Sequence, residues 1–135
     1  MNAEIQISTK SRTEMVDITE KVREAVRKSK AARGVCRIFV PHTTAAVTIN
    51  ENADPSVRRD IIAGLDRIAP FDAGYEHSEG NAAAHIKSTV VGTDAAVPIE
   101  GGDLTLGTWQ GIFFCEFDGP RRRNVIINIT KEQVA

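Results

Sequence analysis

The chain contains three histidines, His42, His77 and His85, and imidazole can transfer protons near neutral pH or bind zinc-type ions. His77, Asn81 and His85 recur at intervals of four residues, which places them on one helix face if the helix begins before His77. His42 directly follows a predicted strand, where a side chain can point into a cleft. The spacing matches no strict metal motif such as HExxH. Two interpretations therefore stay open: an ion site with three nitrogen ligands, and ordinary hydrogen-bonded histidines.

A second group of polar side chains, Asn-Glu-Asn-Ala-Asp, occupies positions 50–54 after a predicted strand. Asp54 has a structural reason to be there, because it precedes Pro55 and forms the N-cap of a predicted helix. Glu51 has no such reason. It lies on the same pair of short segments as His42, so its carboxylate could bind a cation or relay a proton. A solvated loop is the equally acceptable alternative.

Further candidates lie in the C-terminal third of the chain. Trp109 is predicted to be a packing residue, inside the chain or at an interface. Gln110 beside it has the reach to hydrogen-bond a ligand or a buried carbonyl. Glu116 interrupts an otherwise apolar strand, and a buried carboxylate needs a partner such as an arginine. The run of arginines at 121–123 is typical of a solvated hairpin, but it also suits a phosphate or carboxylate ligand.

Composition and charge exclude several function classes. The 135 residues fit one domain, residues 1–135, and a formal net charge of −1 gives no basis for binding nucleic acid. We expect a cytoplasmic protein that contacts no membrane, because no signal peptide or roughly 20-residue apolar span is visible. Cys36 and Cys115 form no CxxC pair and are predicted to be buried thiols. The motifs of P-loop, Rossmann and α/β-hydrolase enzymes are missing.

The apolar periodicity predicts an α+β chain. Thr19 is predicted to cap the first helix, and Gly34 is predicted to take a left-handed conformation after that helix ends. Strand 112–117 is apolar on both faces and should be central in its sheet or covered on both sides. The predicted strands are 3–9, 13–18, 35–40, 45–49, 96–99, 104–106, 112–117 and 125–130, and the predicted helices are 19–30, 55–70 and 81–90, with a hairpin turn at 100–103.

Three segments together resemble the YjbQ family: PHTTAAVTINENADP at 41–55, HSEGNAAAHIKS at 77–88 and LGTWQGIFFCEFDGPRR at 106–122. The resemblance implies an α+β fold, a two-sheet β-sandwich of about seven strands with flanking helices, assembled as a homotrimer. It also implies a weak thiamine-phosphate synthase activity, in which a pyrimidine pyrophosphate and a thiazole phosphate are joined and pyrophosphate is released. The resemblance further implies a metal site, expected at His42, His77 and His85.

On this basis we expect a metal-assisted enzyme that acts on a small phosphorylated metabolite, and a non-catalytic metal- or metabolite-binding trimer is the alternative. Three histidines favour a zinc-type divalent ion, whereas pyrophosphate chemistry usually recruits Mg²⁺ through carboxylates. The ion and nearby cations would neutralise the leaving oxygens. The predicted catalytic residues are Glu51, His85 and Lys87, the predicted substrate-binding residues are Asn81, Ser88, Gln110, Arg121 and Arg122, and the predicted metal ligands are His42, His77 and His85.

Overall fold

A computed structural model describes residues 2–133. In chain order, the elements of that range are β1 (Asn2–Ser8), β2 (Glu14–Asp17), α1 (Thr19–Ser29), β3 (Gly34–Phe39), β4 (Ala45–Glu51), α2 (Pro55–Ile68), α3 (Ala82–Val91), β5 (Asp94–Glu100), β6 (Asp103–Leu104), β7 (Gln110–Glu116) and β8 (Arg122–Lys131). The strands within this range number eight rather than about seven. No helix in it combines the length and apolar character that crossing a bilayer requires.

The strands form two antiparallel sheets, one of five strands in the order β1-β8-β3-β5-β6 and one of three in the order β2-β7-β4. Alternate residues of the larger sheet, such as Cys36, Ile38 and Ile127, are fully buried, while their neighbours in sequence face outward. These inward side chains pack with Val47 and Phe114 of the smaller sheet and with one face of α1. The main core therefore lies between the two sheets, as the α+β prediction requires.

The second face of the smaller sheet carries a second core. Phe113, Cys115 and Phe117 alternate with the residues of the main core and pack with Leu65 of α2 and Ala84 of α3. Strand β7 lies between β2 and β4 and is buried on both faces. The prediction of a central, two-faced strand is confirmed.

The N-cap predicted from the sequence is confirmed for α2 but not for α1. Asp54 caps α2 as predicted, because its carboxylate accepts a hydrogen bond of 2.9 Å from the Ser56 N–H. The prediction that Thr19 caps α1 is wrong: Thr19 is the first helical residue, and its N–H donates to the Asp17 carboxylate at 2.9 Å. Its hydroxyl accepts from the Ile112 N–H, so the side chain ties α1 to β7.

The end of α1 also differs from the prediction. Lys30 takes the left-handed conformation after the helix, with φ of 59°, whereas Gly34 already belongs to β3. A Cβ at Gly34 would lie 2.0 Å from the Thr130 carbonyl oxygen, so this glycine allows two strands to approach closely. Cys36 and Cys115 are buried as predicted, and burial raises the pKa of their thiols to about 11 and about 12.

A buried ion pair joins the two sheets. Glu116 ends β7 in one sheet, Arg123 lies near the start of β8 in the other, and their exposed fractions are 0% and 3%. The Arg123 Nε–H donates to Glu116 Oε1 at 2.9 Å, and its Nη2 bonds both Glu116 and the Thr44 hydroxyl. The Thr9 hydroxyl adds a bond of 2.7 Å to Glu116. Burial alone would raise the pKa of the Glu116 carboxyl, but the bonds from Arg123 and Thr9 outweigh it and lower that pKa.

Glu116→Ala is expected to lower the free energy of unfolding by about 3–5 kcal/mol, because it leaves the Arg123 guanidinium buried without a counter-charge. Urea denaturation of the variant and the parent measures this difference. Glu24→Ala is the matched control, since it removes the exposed partner of Lys28 and should change stability by less than about 1 kcal/mol. Equal effects of the two substitutions would contradict the structural role of the buried pair.

Candidate functional site

A groove of about 430 Å³ contains two of the three histidines. His42 reaches it from the segment between β3 and β4, and His85 reaches it from α3. His85, Ser88 and Thr89 share one side of α3 because they are spaced by three and four residues. The complete lining is His42, Thr43, His85, Ser88, Thr89, Gly92 and Thr93. Strand end and helix therefore meet as the sequence predicted for His42 and His85.

A backbone hydrogen bond fixes the ring of His42. The Asn124 N–H donates to His42 Nε2 at 3.0 Å. Burial lowers the pKa of His42, and the positive charge of Arg123 lowers it further, so the ring is held neutral. A neutral imidazole has one acceptor nitrogen and one N–H. Because Nε2 is the acceptor, the hydrogen-bond network assigns the proton to Nδ1.

His77 and His85 contact each other directly. Their ring centroids lie 5.3 Å apart and the ring planes are nearly perpendicular, at 86°. The expected single helix face is not the reason, because α3 begins at Ala82 and leaves His77 in the preceding loop. His77 also lies near Glu79, with 3.7 Å between Nε2 and Oε2. The loop before α3 therefore places the His77 ring against the His85 ring of that helix.

The described residues do not assemble the predicted three-histidine centre. Within residues 2–133, no three His, Cys, Asp or Glu side chains lie close enough together to hold one metal ion. His42 offers no free lone pair, since Nε2 accepts from Asn124 and Nδ1 carries the proton. No carboxylate lines the groove, although oxygen ligands are what Mg²⁺ prefers. As arranged in one chain, these residues do not fit a metal bound by all three histidines.

Lys87 and Ser88 are neighbours with different surroundings. The Lys87 side chain is buried, its ammonium is paired with the Asp66 carboxylate, and it lies 4.0 Å from the ring centre of Phe71. Lys87 therefore faces α2 and not the groove. The Ser88 hydroxyl donates to the Ala45 carbonyl at 2.6 Å, and Ser88 does line the groove.

Asn81 and Arg121 meet through a shared carboxylate. The Asn81 Nδ2–H and the Arg121 guanidinium donate to Asp118 Oδ2 at 2.9 and 3.0 Å. Asn81 Oδ1 is buried and has no hydrogen-bond partner among the described residues. Arg122 is exposed at the start of β8, opposite Ser8, and takes no part in this group. The three arginines of the predicted basic turn therefore have different surroundings: Arg121 bonds Asp118, Arg122 is exposed, and Arg123 is the buried partner of Glu116.

Glu51 and Gln110 lie at the far end of the smaller sheet. Glu51 pairs with Gln110, whereas Ala45, at the other end of β4 near His42, pairs with Glu116. Six residues of strand separate the two ends by about 20 Å. Glu51 accepts from the Asp54 N–H at 3.2 Å and Gln110 from the Gly107 N–H at 2.8 Å. The expectation that Glu51 and His42 serve one site does not hold within a single chain.

Sequence reasoning missed several residues of the site. Thr43, Thr89 and Thr93 line the groove, and only Thr43 had a signal, its place beside His42 in the Pro-His-Thr-Thr segment. Asn124 acts through its backbone N–H, which no residue type advertises. Trp109 is 64% exposed, so the prediction that it packs is not met inside the chain.

Comparison with known proteins identifies the family. A family model described as UPF0047 protein YjbQ-like matches residues 3–132. The chain belongs to the YjbQ family. The UPF0047 protein YugU of Bacillus subtilis is 48% identical over 126 residues, which cover 93% of this chain and 96% of that protein. A UPF0047 protein of Methanocaldococcus jannaschii is 53% identical over 124 residues, covering 92% of this chain and 90% of the relative.

Two solved structures share the fold. An uncharacterised YjbQ/UPF0047 protein of Clostridium acetobutylicum is 48% identical, with a TM-score of 0.93 over 95% of this chain and 99% of that one. A protein of unknown function from Sulfolobus solfataricus is 36% identical, with a TM-score of 0.94 over 98% of this chain and 97% of that one. The α+β fold with two antiparallel sheets is therefore that of the YjbQ family.

In this YjbQ-family chain, His42 is expected to titrate below the ordinary histidine value of about 6.5. Because the unfolded chain then binds more protons than the folded one, the His42 contribution to stability is unaffected above about pH 6.5 and is lost as the pH falls below it. The NMR shift of the His42 Hε1 proton against pH measures the titration, and the spectrum of His42→Gln assigns the signal. A midpoint at or above about 6.5 would contradict the neutral ring.

Proposed function

We propose that this YjbQ-family protein is an enzyme that acts on a small phosphorylated metabolite, with a phosphoryl group bound in the groove between His42 and His85. One observation carries the proposal: the groove is lined by two imidazoles, four hydroxyl-bearing side chains and Gly92, and by no carboxylate. Such a lining can donate hydrogen bonds to anionic oxygens without repelling them. A volume of about 430 Å³ is in the range of small-molecule sites.

The reaction we propose is the transfer that the family resemblance implies. A thiazole-phosphate nitrogen attacks the activated methylene of the pyrimidine pyrophosphate, a C–N bond forms, the C–O bond breaks, and pyrophosphate leaves with the electron pair. Negative charge grows on the leaving oxygens, so donors already aimed at those oxygens stabilise the transition state. His85 is the proposed catalytic residue, since it is the imidazole in the groove with no hydrogen bond to its ring among the described residues.

A zinc-type divalent ion remains part of the proposal at His77 and His85, the two imidazoles that contact each other. When bound, such an ion would supply positive charge near the phosphoryl oxygens. Residues 2–133 of one chain do not complete its ligand set. Mg²⁺ would have to enter with the pyrophosphate, since the groove offers it no carboxylate.

The proposed assembly is a homotrimer. Trp109 is 64% exposed beside Gln110, and Val35 and Phe39 are 41% and 45% exposed on the outer face of the larger sheet. Association would bury these apolar side chains, and only a second copy would bring Glu51 or Gln110 to a groove about 20 Å away. Native mass spectrometry should show three chains per particle, and Trp109→Ala should weaken the assembly. A monomer at micromolar concentration would contradict this part of the proposal.

A non-catalytic binding protein is the second candidate, and one observation favours it. Glu51 and Lys87, the other predicted catalytic residues, do not face the groove of their own chain. A chain in which His85 is the one predicted catalytic residue that lines the groove could hold a phosphorylated metabolite without turning it over. Turnover separates the two candidates.

The decisive assay follows pyrophosphate release by ³¹P NMR from the pyrimidine pyrophosphate and thiazole phosphate, alongside a panel of phosphorylated metabolites. We expect slow turnover by the parent and a loss of about 10²–10³-fold in His85→Ala, the usual effect of removing one donor that stabilises developing negative charge. Lys28→Gln is the control, because Lys28 is exposed on α1 and should leave the rate unchanged. Binding without turnover would favour the second candidate. The absence of both binding and turnover would overturn the proposal.

A further inference from the structure

The tautomer of His42 decides which ligands this residue can bind. Its Nε2 lone pair is taken by the Asn124 N–H at 3.0 Å, so the only other polar atom of the ring is an N–H at Nδ1. An N–H donates to an anion but cannot coordinate a cation. His42 lines the groove, and with Nε2 turned to β8, the Nδ1–H is the polar group that it offers to a bound molecule.

The buried ion pair connects the two backbone segments that carry His42 and its partner Asn124. Arg123 directly precedes Asn124 in β8. Its Nη2 donates to the carbonyl and the hydroxyl of Thr44, the residue two positions after His42, at 3.2 and 2.9 Å. Glu116 anchors the same guanidinium. The segment that carries the imidazole and the strand that carries the N–H are therefore joined by the same arginine. For His42 to bind a metal through Nε2, its hydrogen bond from the Asn124 N–H would have to break.

The four hydroxyl groups that line the groove divide into two pairs. The Ser88 and Thr89 hydroxyl protons are committed to the carbonyls of Ala45 and His85, at 2.6 and 2.9 Å. The hydroxyls of Thr43 and Thr93 make no side-chain hydrogen bond among residues 2–133, so their protons are available to a ligand. Together with the Nδ1–H of His42, they offer three donors to a molecule bound in the groove.

We propose that His42, Thr43 and Thr93 form an oxyanion subsite for a phosphoryl group, and that His42 is a fixed hydrogen-bond donor rather than a metal ligand. The inference rests on the proposed function in placing a phosphoryl group in this groove. It assigns different roles to the three histidines. His42 binds the anionic oxygens of the ligand, while His77 and His85, whose rings touch, hold any divalent ion.

Two substitutions of His42 separate a donor at Nδ1 from an acceptor at Nε2. In His42→Asn, the amide NH₂ lies near the position of Nδ1, so the donor to the ligand is kept. In His42→Gln, the longer amide can accept from the Asn124 N–H at the position of Nε2, but the donor at Nδ1 is lost. Thr93→Val removes one hydroxyl with almost no change of shape, and it tests the subsite without touching His42.

Inorganic pyrophosphate is the probe, and calorimetry on the purified protein measures its binding. We expect His42→Asn to bind it within about three-fold of the parent, and His42→Gln and Thr93→Val to bind it about 10–100-fold more weakly, the range for a hydrogen bond to a charged group. The amount of zinc bound per chain, measured by plasma mass spectrometry, should be the same in both His42 variants and should fall in His77→Ala and His85→Ala. Circular dichroism confirms that each variant is folded.

Three results would overturn the inference. They are pyrophosphate binding that is unchanged in His42→Gln, zinc that is lost with either His42 variant, and a ¹⁵N NMR spectrum of the parent that places the ring proton of His42 on Nε2. The last measurement needs no variant and no ligand. Turnover with an unaffected His42→Gln would leave the proposed function intact and remove this subsite. Pyrophosphate binding that depends on His42, without turnover of any substrate, would support the subsite and remove the proposed enzymatic function.

Discussion

The ion pair between Glu116 and Arg123 is the interaction on which the rest of this structure depends. It joins β7 of one sheet to β8 of the other inside the core, where neither charge reaches water. Desolvation offsets much of the attraction in a buried pair of this kind, whereas loss of one partner leaves the other charge buried and unpaired. The pair is also bonded to the segment that carries the site: Arg123 bonds Thr44, and Asn124, the residue after Arg123, bonds the ring of His42. The buried ion pair therefore helps to position His42 in the groove.

The elements of the fold follow largely from local sequence. Alternating apolar residues predicted the strands, Asp54-Pro55 predicted the start of α2, and the two-faced apolar run predicted a buried β7. Even the arginine partner of Glu116 was expected, because a carboxylate in an apolar strand needs a counter-charge. What failed was fine detail at helix ends. At Thr19, tertiary contact with β7 replaced the capping role that its residue type suggests.

The site was predicted less completely, for physical reasons. The family resemblance indicated His42 and His85, which do share a groove. Residue types alone could not show that β4 carries Glu51 to the far end of the sheet, since the distance depends on strand length and register. Nor could they show that the ammonium of Lys87 turns to Asp66, because its direction is set by the packing of α3 on α2. The bond that fixes His42 comes from a backbone group and leaves no trace in the sequence.

The groove is better suited to donate hydrogen bonds to anionic oxygens than to surround a cation, which favours a phosphoryl group beside His42. A crystal structure of the protein with pyrophosphate tests this most directly. We expect a pyrophosphate oxygen within hydrogen-bond distance of His42 Nδ1 while Nε2 still accepts from Asn124. Pyrophosphate bound instead against Arg121 and Arg122, or a metal ion bound directly to His42, would contradict it.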